Sequence, residues 1–369
     1  MLIEIASVAI TVAMVLVSVA LLGHREEKKQ TASCGRPTVD EYVTRPMLEI
    51  TRICAALSAG VYRRVEDLPS SMSAAAQAVT DHRSRIVDFE SHVITNQDHS
   101  AVVVITREQV GERRVFVTCR GTNISNWRQV LANLFVRKVD FLNHCFWRDD
   151  VRVRQLPDCL QDAIKGLNNG LLADRLGIGR VHRGVAELFN ADGVGWRVIR
   201  ALEADVQSER PIILGGHSQG FGWVQLIGIA MRWCHLISVD QRWMATAMVG
   251  FGGMRAGDRR VASQLELVCV HRPDLGLFGM MKYRNRRDVV PVLPKRWMGY
   301  ADAGMDLQIT QRGHVRRKPL NIVRIGSAVR DFSRGRWFRW LKHHPMDNYV
   351  AAVNKLQIPA WESERKASS

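Results

Sequence analysis

A five-residue turn, Gly216-His217-Ser218-Gln219-Gly220, constrains the fold of this chain more than any other segment. It lies between two apolar runs, residues 211–214 and residues 221–230. The pattern predicts a buried strand, a sharp turn and a buried helix, with Ser218 held at strained backbone angles between them. Backbone N–H groups at the start of such a helix can stabilise a developing oxyanion. Ser218 is therefore a candidate nucleophile; a glycine-rich turn with an incidental serine is the alternative.

The composition is that of a globular protein with an excess of positive charge. The chain has 369 residues, 46% of them hydrophobic and 24% charged, which suffices for one large α/β domain or two small ones. Its net charge of +16 favours anionic partners such as nucleic acid or an anionic membrane, although a solvated basic surface explains it as well. The seven cysteines form no C-x-x-C pair and favour thiols over a disulfide framework or a zinc site. We predict neither a metal nor a cofactor.

The N-terminus contains a run that is long enough to cross a bilayer. Residues 5–22 are apolar and uncharged, and Glu4 is the only early charged side chain, whereas a secretory signal begins with positive charge. We therefore predict an uncleaved transmembrane anchor at residues 1–23, followed by a polar juxtamembrane linker at residues 24–45. Three basic side chains follow the run: Arg25, Lys28 and Lys29. The positive-inside rule then places the large domain in the cytoplasm, which agrees with the cysteine usage.

The remainder of the chain alternates between strand-like and helix-like patterns. Predicted helices are residues 48–62 and 186–206; predicted strands are residues 101–105, 115–118, 244–251, 265–270 and 281–284, the first two as an antiparallel hairpin. The alternation predicts an α/β fold with a mostly parallel central sheet flanked by helices, and with ligands at the carboxyl ends of the strands. Residues 136–180 are irregular and charged, and we interpret them as an insertion.

A nucleophilic serine needs a base, an acid that orients the base, and oxyanion donors. Asp288 directly follows a predicted strand and is the candidate acid; a turn or capping residue is the alternative. The downstream histidines are His314, His343 and His344. The last two precede a predicted helix that could return the base to the sheet edge, and spacing does not choose between them. His217 is interpreted as structural, with its side chain pointing away from the serine.

Six short sequence motifs occur in a fixed order along the chain. They are Arg120-Gly121-Thr122 with Asn126-Trp127, Val181-His182-Arg183-Gly184, Gly216 to Gly220, Phe251-Gly252-Gly253-Met254-Arg255, Asn285-x-x-Asp288 and His344-x-Met346-x-x-Tyr349. Together they resemble the class 3 (fungal-type) lipases of the α/β-hydrolase fold, over residues 48–356. The resemblance implies one domain at residues 46–358, followed by a polar tail at residues 359–369.

The resemblance also implies roles for individual residues. Ser218 would be the nucleophile, Asp288 the orienting acid and His344 the general base and acid. The backbone N–H groups of Thr122 and Gln219 would form the oxyanion hole. The implied activity is hydrolysis of acylglycerol or phospholipid esters through an acyl-enzyme. Met254 stands where the family has proline, and this departure removes no catalytic group.

The segment from residue 316 to residue 342 combines many basic residues with Trp337, Phe338 and Trp340. This combination suits a membrane interface, although single-stranded nucleic acid or plain solvent are alternatives. The anchor and the lipase-like site favour the membrane and make nucleic acid the weaker interpretation. Two other functions stay open from sequence: a catalytically silent scaffold at the membrane, and an acyltransferase that uses the same triad.

Overall fold

The structure is a computed structural model that describes residues 45–80, 88–121, 137–141, 179–237, 243–269, 279–285, 288, 290–292, 294, 296–310, 315–317 and 344–356. The predicted anchor, nearly all of the linker, most of the predicted insertion, most of the basic and aromatic segment and the polar tail lie outside these residues. Within the described ranges, no helix is both long and apolar enough to span a membrane.

Ten strands are present in the described residues. In chain order they are β1 (Phe89–Thr95), β2 (Val102–Glu108), β3 (Val115–Cys119), β4 (Lys138–Asp140), β5 (Arg180–His182), β6 (Ile212–His217), β7 (Ala247–Phe251), β8 (Met280–Asn285), β9 (Met305–Ile309) and β10 (Val315–Arg317). Strands β4 and β5 form a small antiparallel pair, and the other eight form one sheet in the order β1-β2-β3-β6-β7-β8-β9-β10.

The centre of the large sheet is parallel and its borders are antiparallel. Strands β3, β6, β7, β8 and β9 run parallel to one another, whereas β1, β2 and β3 form an antiparallel meander and β10 pairs antiparallel with β9. The predicted hairpin is the β2–β3 pair. The prediction of an α/β fold with a mostly parallel central sheet is thus confirmed.

Helices cover both faces of this sheet. They are α1 (Arg45–Gly60), α2 (Leu68–Thr80), α3 (Arg183–Asn190), α4 (Val194–Ala201), α5 (Glu203–Gln207), α6 (Gln219–Ile237), α7 (Arg259–Val268) and α8 (Met346–Asn354), with short 3-10 turns at Val65–Asp67, Ala191–Gly193, Val290–Val292 and Arg296–Met298. Buried residues of α1, α2 and α8 belong to the core on one face of the sheet, and those of α3, α4, α6 and α7 to the core on the other face.

The strands contribute alternate residues to the two cores. In β2, Val103 and Ile105 pack into the core that contains α6, while Val102 and Val104 pack into the core that contains α1. This division follows from the two-residue period of side chains along a strand. Because both faces are covered, the first four residues of β2, from Val102 to Ile105, are all apolar, as is typical of strand segments buried between two helical layers.

The prediction of a strand at residues 265–270 is wrong, because most of this segment is the end of α7. The Asp258 carboxylate caps that helix and accepts hydrogen bonds from the backbone N–H groups of Arg260 and Val261. The buried residues Val261, Leu265 and Val268 recur at helical spacing. A short apolar run has no unique period, so the capping residue upstream decides the element.

The predicted single helix at residues 186–206 is divided into α3, α4 and α5. The chain turns between α3 and α4 at Asp192 and Gly193, which have φ angles of 48° and 65°. Such left-handed angles interrupt a right-handed helix. The break turns the buried faces of α3 and α4 toward each other, and Phe189 packs edge-on against Trp196.

Candidate active site

Ser218 occupies a strained position between β6 and α6. β6 ends at His217 and α6 begins at Gln219, and Ser218 has a φ of 57°. Its backbone N–H donates to the carbonyl of Phe251 at 3.0 Å, and its own carbonyl accepts from Phe221 at 3.2 Å. A non-glycine residue with this φ is uncommon and costs on the order of 1 kcal/mol or more. These hydrogen bonds hold the backbone of Ser218 in this conformation.

Neighbouring parallel strands bring the other site residues to the same edge of the sheet. In the register of the sheet, His217 of β6 lies beside Phe251 of β7, and Phe251 lies beside Tyr283 of β8. The carboxyl ends of β6, β7 and β8 are therefore level with one another. Asp288 follows the end of β8 by three residues, so the sheet places it near Ser218 although 70 residues separate the two positions.

Asp288 and His344 contact each other directly. The Nδ1 atom of His344 lies 2.8 Å from Oδ2 of Asp288, and both side chains are buried. The other carboxylate oxygen, Oδ1, accepts a hydrogen bond from the backbone N–H of Val290 at 2.9 Å. Because the carboxylate accepts the Nδ1 proton, Nε2 of the imidazole is the nitrogen that can take up a proton. This is the arrangement required of a base and its orienting acid.

Tyr349 is a further member of this cluster that the sequence reasoning did not assign a role. Its hydroxyl donates to Oδ2 of Asp288 at 2.5 Å and accepts from the backbone N–H of Asn285 at 3.1 Å. Burial, together with the negative charge of Asp288, raises the pKa of Tyr349 well above its ordinary value, so the phenol remains a donor. Its position five residues after His344, on the first turn of α8, was the available signal.

Gly252 directly follows β7, and its backbone lies against this cluster. Its φ is 57°, and a Cβ atom at this position would approach Oδ2 of Asp288 to 2.8 Å and Cε1 of His344 to 3.1 Å. Any larger residue would displace the acid or the base. Since Phe251, the preceding residue, accepts the N–H of Ser218, one short stretch of backbone contacts the serine turn and the Asp288–His344 pair.

The start of α6 faces the segment that follows β3. A Cβ atom on Gly220 would lie 2.3 Å from the Cys119 carbonyl oxygen and 2.8 Å from the Gly121 nitrogen, so the two backbones are in contact only because residue 220 is glycine. Gln219, the first residue of α6, is buried at this junction. Thr122, the other predicted oxyanion donor, comes directly after Gly121 and lies outside the described residues.

The structure brings together only some of the histidine candidates. His344 is in contact with Asp288, whereas His314 and His343 lie outside the described residues. Arg120, interpreted from sequence as structural, donates its guanidinium to the carbonyl of His99 in the β1–β2 turn. Within the described ranges, no group of three or more His, Cys, Asp and Glu residues has the arrangement of a metal site. The contacts of His344, Asp288 and Tyr349 equip this cluster for proton transfer and for orientation of an imidazole.

The chain is similar to known proteins in its structure. Neither a family model nor a curated protein matches the sequence. A fungal lipase superimposes with a TM-score of 0.51 at 14% identity, covering 80% of this chain and 97% of that chain. Lipase II from Rhizopus niveus gives a TM-score of 0.47 at 15% identity, covering 72% of this chain and 82% of that chain. The Rhizomucor miehei lipase propeptide complex gives a TM-score of 0.44 at 16% identity, covering 72% of this chain and 70% of that chain. The chain therefore has the α/β-hydrolase fold of the fungal lipases, whose family its sequence blocks resemble.

Proposed function

We propose that this protein is a serine carboxylic-ester hydrolase of the lipase type, which cleaves acylglycerol or phospholipid esters. The observation that carries the proposal is the 2.8 Å contact between Nδ1 of His344 and Oδ2 of Asp288, at the sheet edge where Ser218 has a φ of 57°. A serine on a strained strand-to-helix turn, an imidazole and a buried carboxylate are the three groups that acyl transfer requires.

In the proposed acylation step, Oγ of Ser218 attacks the carbonyl carbon of the ester. Nε2 of His344 takes the hydroxyl proton as the new C–O bond forms, and the carboxylate of Asp288 stabilises the imidazolium. The tetrahedral intermediate then collapses, the bond to the alcohol oxygen breaks, and the imidazolium returns its proton to that oxygen. The products are an acyl-enzyme on Ser218 and a free alcohol.

The proposed deacylation step repeats this sequence with water. Nε2 of His344 removes a proton from the water molecule while its oxygen attacks the acyl carbon. Collapse of the second intermediate releases the carboxylic acid and returns the proton to Oγ of Ser218. An alcohol in place of water would give acyl transfer to that alcohol, so water and an alcohol are both tested as acyl acceptors.

Backbone donors at the junction of β3 and α6 are the proposed oxyanion hole. The first N–H groups of a helix have no partner within the helix, which leaves that of Gln219 available to the negatively charged oxygen. The N–H of Thr122 would approach from the facing segment, beyond Gly121. Two preorganised donors of this kind commonly contribute a few kcal/mol each to lowering the barrier.

The proposal is tested by labelling and turnover with the full chain in detergent micelles. A fluorophosphonate probe is expected to label Ser218, and Ser218→Ala is expected to lose both labelling and p-nitrophenyl ester hydrolysis. Ser263→Ala, at an exposed position on α7, is the matched control and should retain both. An unlabelled wild-type protein, or a Ser218→Ala variant with full esterase activity, would contradict the assignment.

The substrate class is tested with the same preparations. Triacylglycerol, diacylglycerol and phosphatidylcholine in mixed micelles are offered separately, with water alone or with added glycerol as acyl acceptor. Release of fatty acid from one of these lipids is the result expected of a lipase or phospholipase. Turnover of soluble short esters alone would restrict the proposal to a carboxylesterase.

We further propose that residues 1–23 anchor the protein in a membrane, with the catalytic domain in the cytoplasm. The supporting observation is that an uncharged apolar run at residues 5–22 is followed by basic residues. The full chain should remain in membranes after alkaline carbonate extraction, and a chain without residues 1–23 should not. Protection of the domain from protease added outside intact cells tests the orientation.

A further inference from the structure

His217, the residue before the candidate nucleophile, does not simply pack away from the site. Its side chain is buried, and its ring stacks on the ring of His344 with centroids 4.6 Å apart and an interplanar angle of 29°. Its Nε2 atom lies 2.8 Å from the backbone carbonyl oxygen of His344. The side chain of one histidine therefore contacts both the ring and the backbone of the proposed general base.

The partners of His217 determine its tautomer. A carbonyl oxygen can only accept, so Nε2 carries the proton and donates it to His344. On the other side of the ring, the Tyr62 hydroxyl lies 2.8 Å from Nδ1 and is the donor to that nitrogen. Burial, and secondarily the positive charge that His344 can acquire, hold the pKa of His217 well below its usual range. The ring is accordingly neutral, with one donor and one acceptor nitrogen, both used.

Tyr62 connects this pair to the proposed oxyanion segment. Burial raises the pKa of Tyr62 well above its ordinary value, while a hydrogen bond from the Gly121 backbone N–H acts in the opposite direction. The phenol therefore stays protonated and donates to His217. Hydrogen bonds run from Tyr62 through His217 to the carbonyl of His344, and the Tyr62 hydroxyl lies against Gly121, where a Cβ atom would approach it to 2.5 Å.

His344 is consequently fixed at two points. Asp288 holds the imidazole through Nδ1, and His217 holds the backbone through the carbonyl oxygen. A single hydrogen bond to Nδ1 leaves the ring free to swing about that contact. The stacked ring of His217 restricts this motion, and the hydrogen bond to the carbonyl fixes the backbone from which the His344 side chain extends. A neutral His217 also places no positive charge against the imidazolium that forms on His344 during acyl transfer.

We propose that His217 is a positioning residue that holds His344 in its working orientation, and that Tyr62 maintains the tautomer of His217 that this requires. The inference rests on the proposed hydrolase function and extends it beyond the triad. It also provides a physical link between the oxyanion segment and the base, because both contact the Tyr62–His217 pair.

Two substitutions at His217 separate positioning from packing. His217→Gln can keep an amide N–H near the site of Nε2 and so retain the donor to the His344 carbonyl. His217→Asn is shorter and can retain only the acceptor for Tyr62. We expect kcat for a p-nitrophenyl ester to fall by about 100-fold in His217→Asn with KM unchanged, since misplacement of a catalytic group by about 1 Å costs that much. His217→Gln should recover most of the loss.

Tyr62→Phe tests the second part of the inference without removing the aromatic ring. We expect a fall in kcat of about 5-fold, which corresponds to one neutral hydrogen bond. His92→Asn, on the exposed face of β1, and Tyr300→Phe, whose hydroxyl has no hydrogen-bond partner in the described part of the chain, are matched controls that should keep full activity. Melting temperatures report whether each variant is folded.

The outcomes distinguish this inference from the proposed function. Failure of the wild-type protein to label at Ser218 would overturn both. A labelled, active wild type with full kcat in folded His217→Asn would overturn only the positioning role, as would an equal loss in His217→Gln and His217→Asn. If neither His217 variant folds, Tyr62→Phe decides: reduced kcat at an unchanged melting temperature supports the inference, and unchanged kcat overturns it.

Discussion

Two buried aspartates lie at opposite ends of the parallel strands and have different partners. Asp205, on α5 near the amino end of β6, contacts the guanidinium groups of Arg107 at 2.8 Å and Arg210 at 3.2 Å. Asp288, beyond the carboxyl end of β8, accepts hydrogen bonds from a hydroxyl, a backbone N–H and an imidazole, none of which carries a permanent charge.

The difference separates a carboxylate that stabilises the fold from one suited to catalysis. The charge of Asp205 is neutralised by the two guanidinium groups that it contacts, so it is not available to another cation. The hydrogen-bond partners described for Asp288 orient its carboxylate without pairing it to a permanent cation. The negative charge of Asp288 can then stabilise an imidazolium that exists only during the reaction.

The same Asp→Asn replacement at the two positions should give opposite results, and Asp288→Asn should have the largest effect. An amide at residue 288 can donate to Nδ1 of His344 and impose the wrong tautomer, so kcat is expected to fall by about 10,000-fold. The melting temperature should change little. Steady-state kinetics with calorimetry on the same samples measures both, and an active Asp288→Asn variant would remove Asp288 from the proposed mechanism.

Asp205→Asn should instead destabilise the protein and leave the chemistry intact. Removing one charge from a buried ion pair commonly costs about 3 kcal/mol or more, and we expect the lower end because the Arg107 side chain is partly exposed. Urea unfolding gives the loss in free energy, and kcat measured below the unfolding transition should equal that of the wild type. A lowered kcat in the folded Asp205→Asn variant would contradict the purely stabilising role assigned to Asp205.

Tyr349→Phe sharpens the description of Asp288 by removing one of its uncharged donors. A hydrogen bond to a charged group contributes about 2 kcal/mol, so we expect kcat to fall by roughly 30-fold as Asp288 loses orientation. KM should be unchanged because the phenol does not contact substrate in the proposed mechanism. Full kcat in a folded Tyr349→Phe variant would show that Val290 and His344 suffice to hold the carboxylate.

The smallest effect concerns Asp302, a third carboxylate that resembles Asp205. Burial favours its neutral form, but Lys282, Arg255 and Arg296 hold the pKa of Asp302 well below its usual range. A depressed folded-state pKa contributes stability above the unfolded pKa of about 4, and that stability is lost as the pH falls below it. The melting temperature of the wild type should exceed that of Asp302→Asn by a few degrees at pH 6.

This difference should shrink between pH 5 and pH 3, because protons then bind to Asp302 in the unfolded chain but not in the folded one. Thermal unfolding of both proteins across this range measures the change. A constant difference across the range would show that Asp302 contributes through shape and hydrogen bonding alone, without linkage to protonation.

Local sequence patterns were sufficient for the elements whose physics is local. The β2–β3 hairpin and the turn around Ser218 were predicted because two short apolar runs joined by a charged turn, and closely spaced glycines between apolar runs, have few other solutions. The segment at residues 265–270 was misassigned because its apolar run fits two periods, and the cap at Asp258 that decides between them lies outside the run. The family resemblance supplied Asp288 and His344 as candidates, which spacing alone did not single out.

The tertiary structure decided what depends on contacts between distant residues. Only the parallel order of β6, β7 and β8 brings Asp288 to the edge where Ser218 lies, and only the position of α8 puts His344 against that carboxylate. The orientation of His217 toward the carbonyl of His344, and its link to Tyr62, have no local signal at all. A sequence by itself determines which residues are strained, apolar or reactive, whereas hydrogen bonds across 100 residues and more exist only after the sheet has set the distances between them.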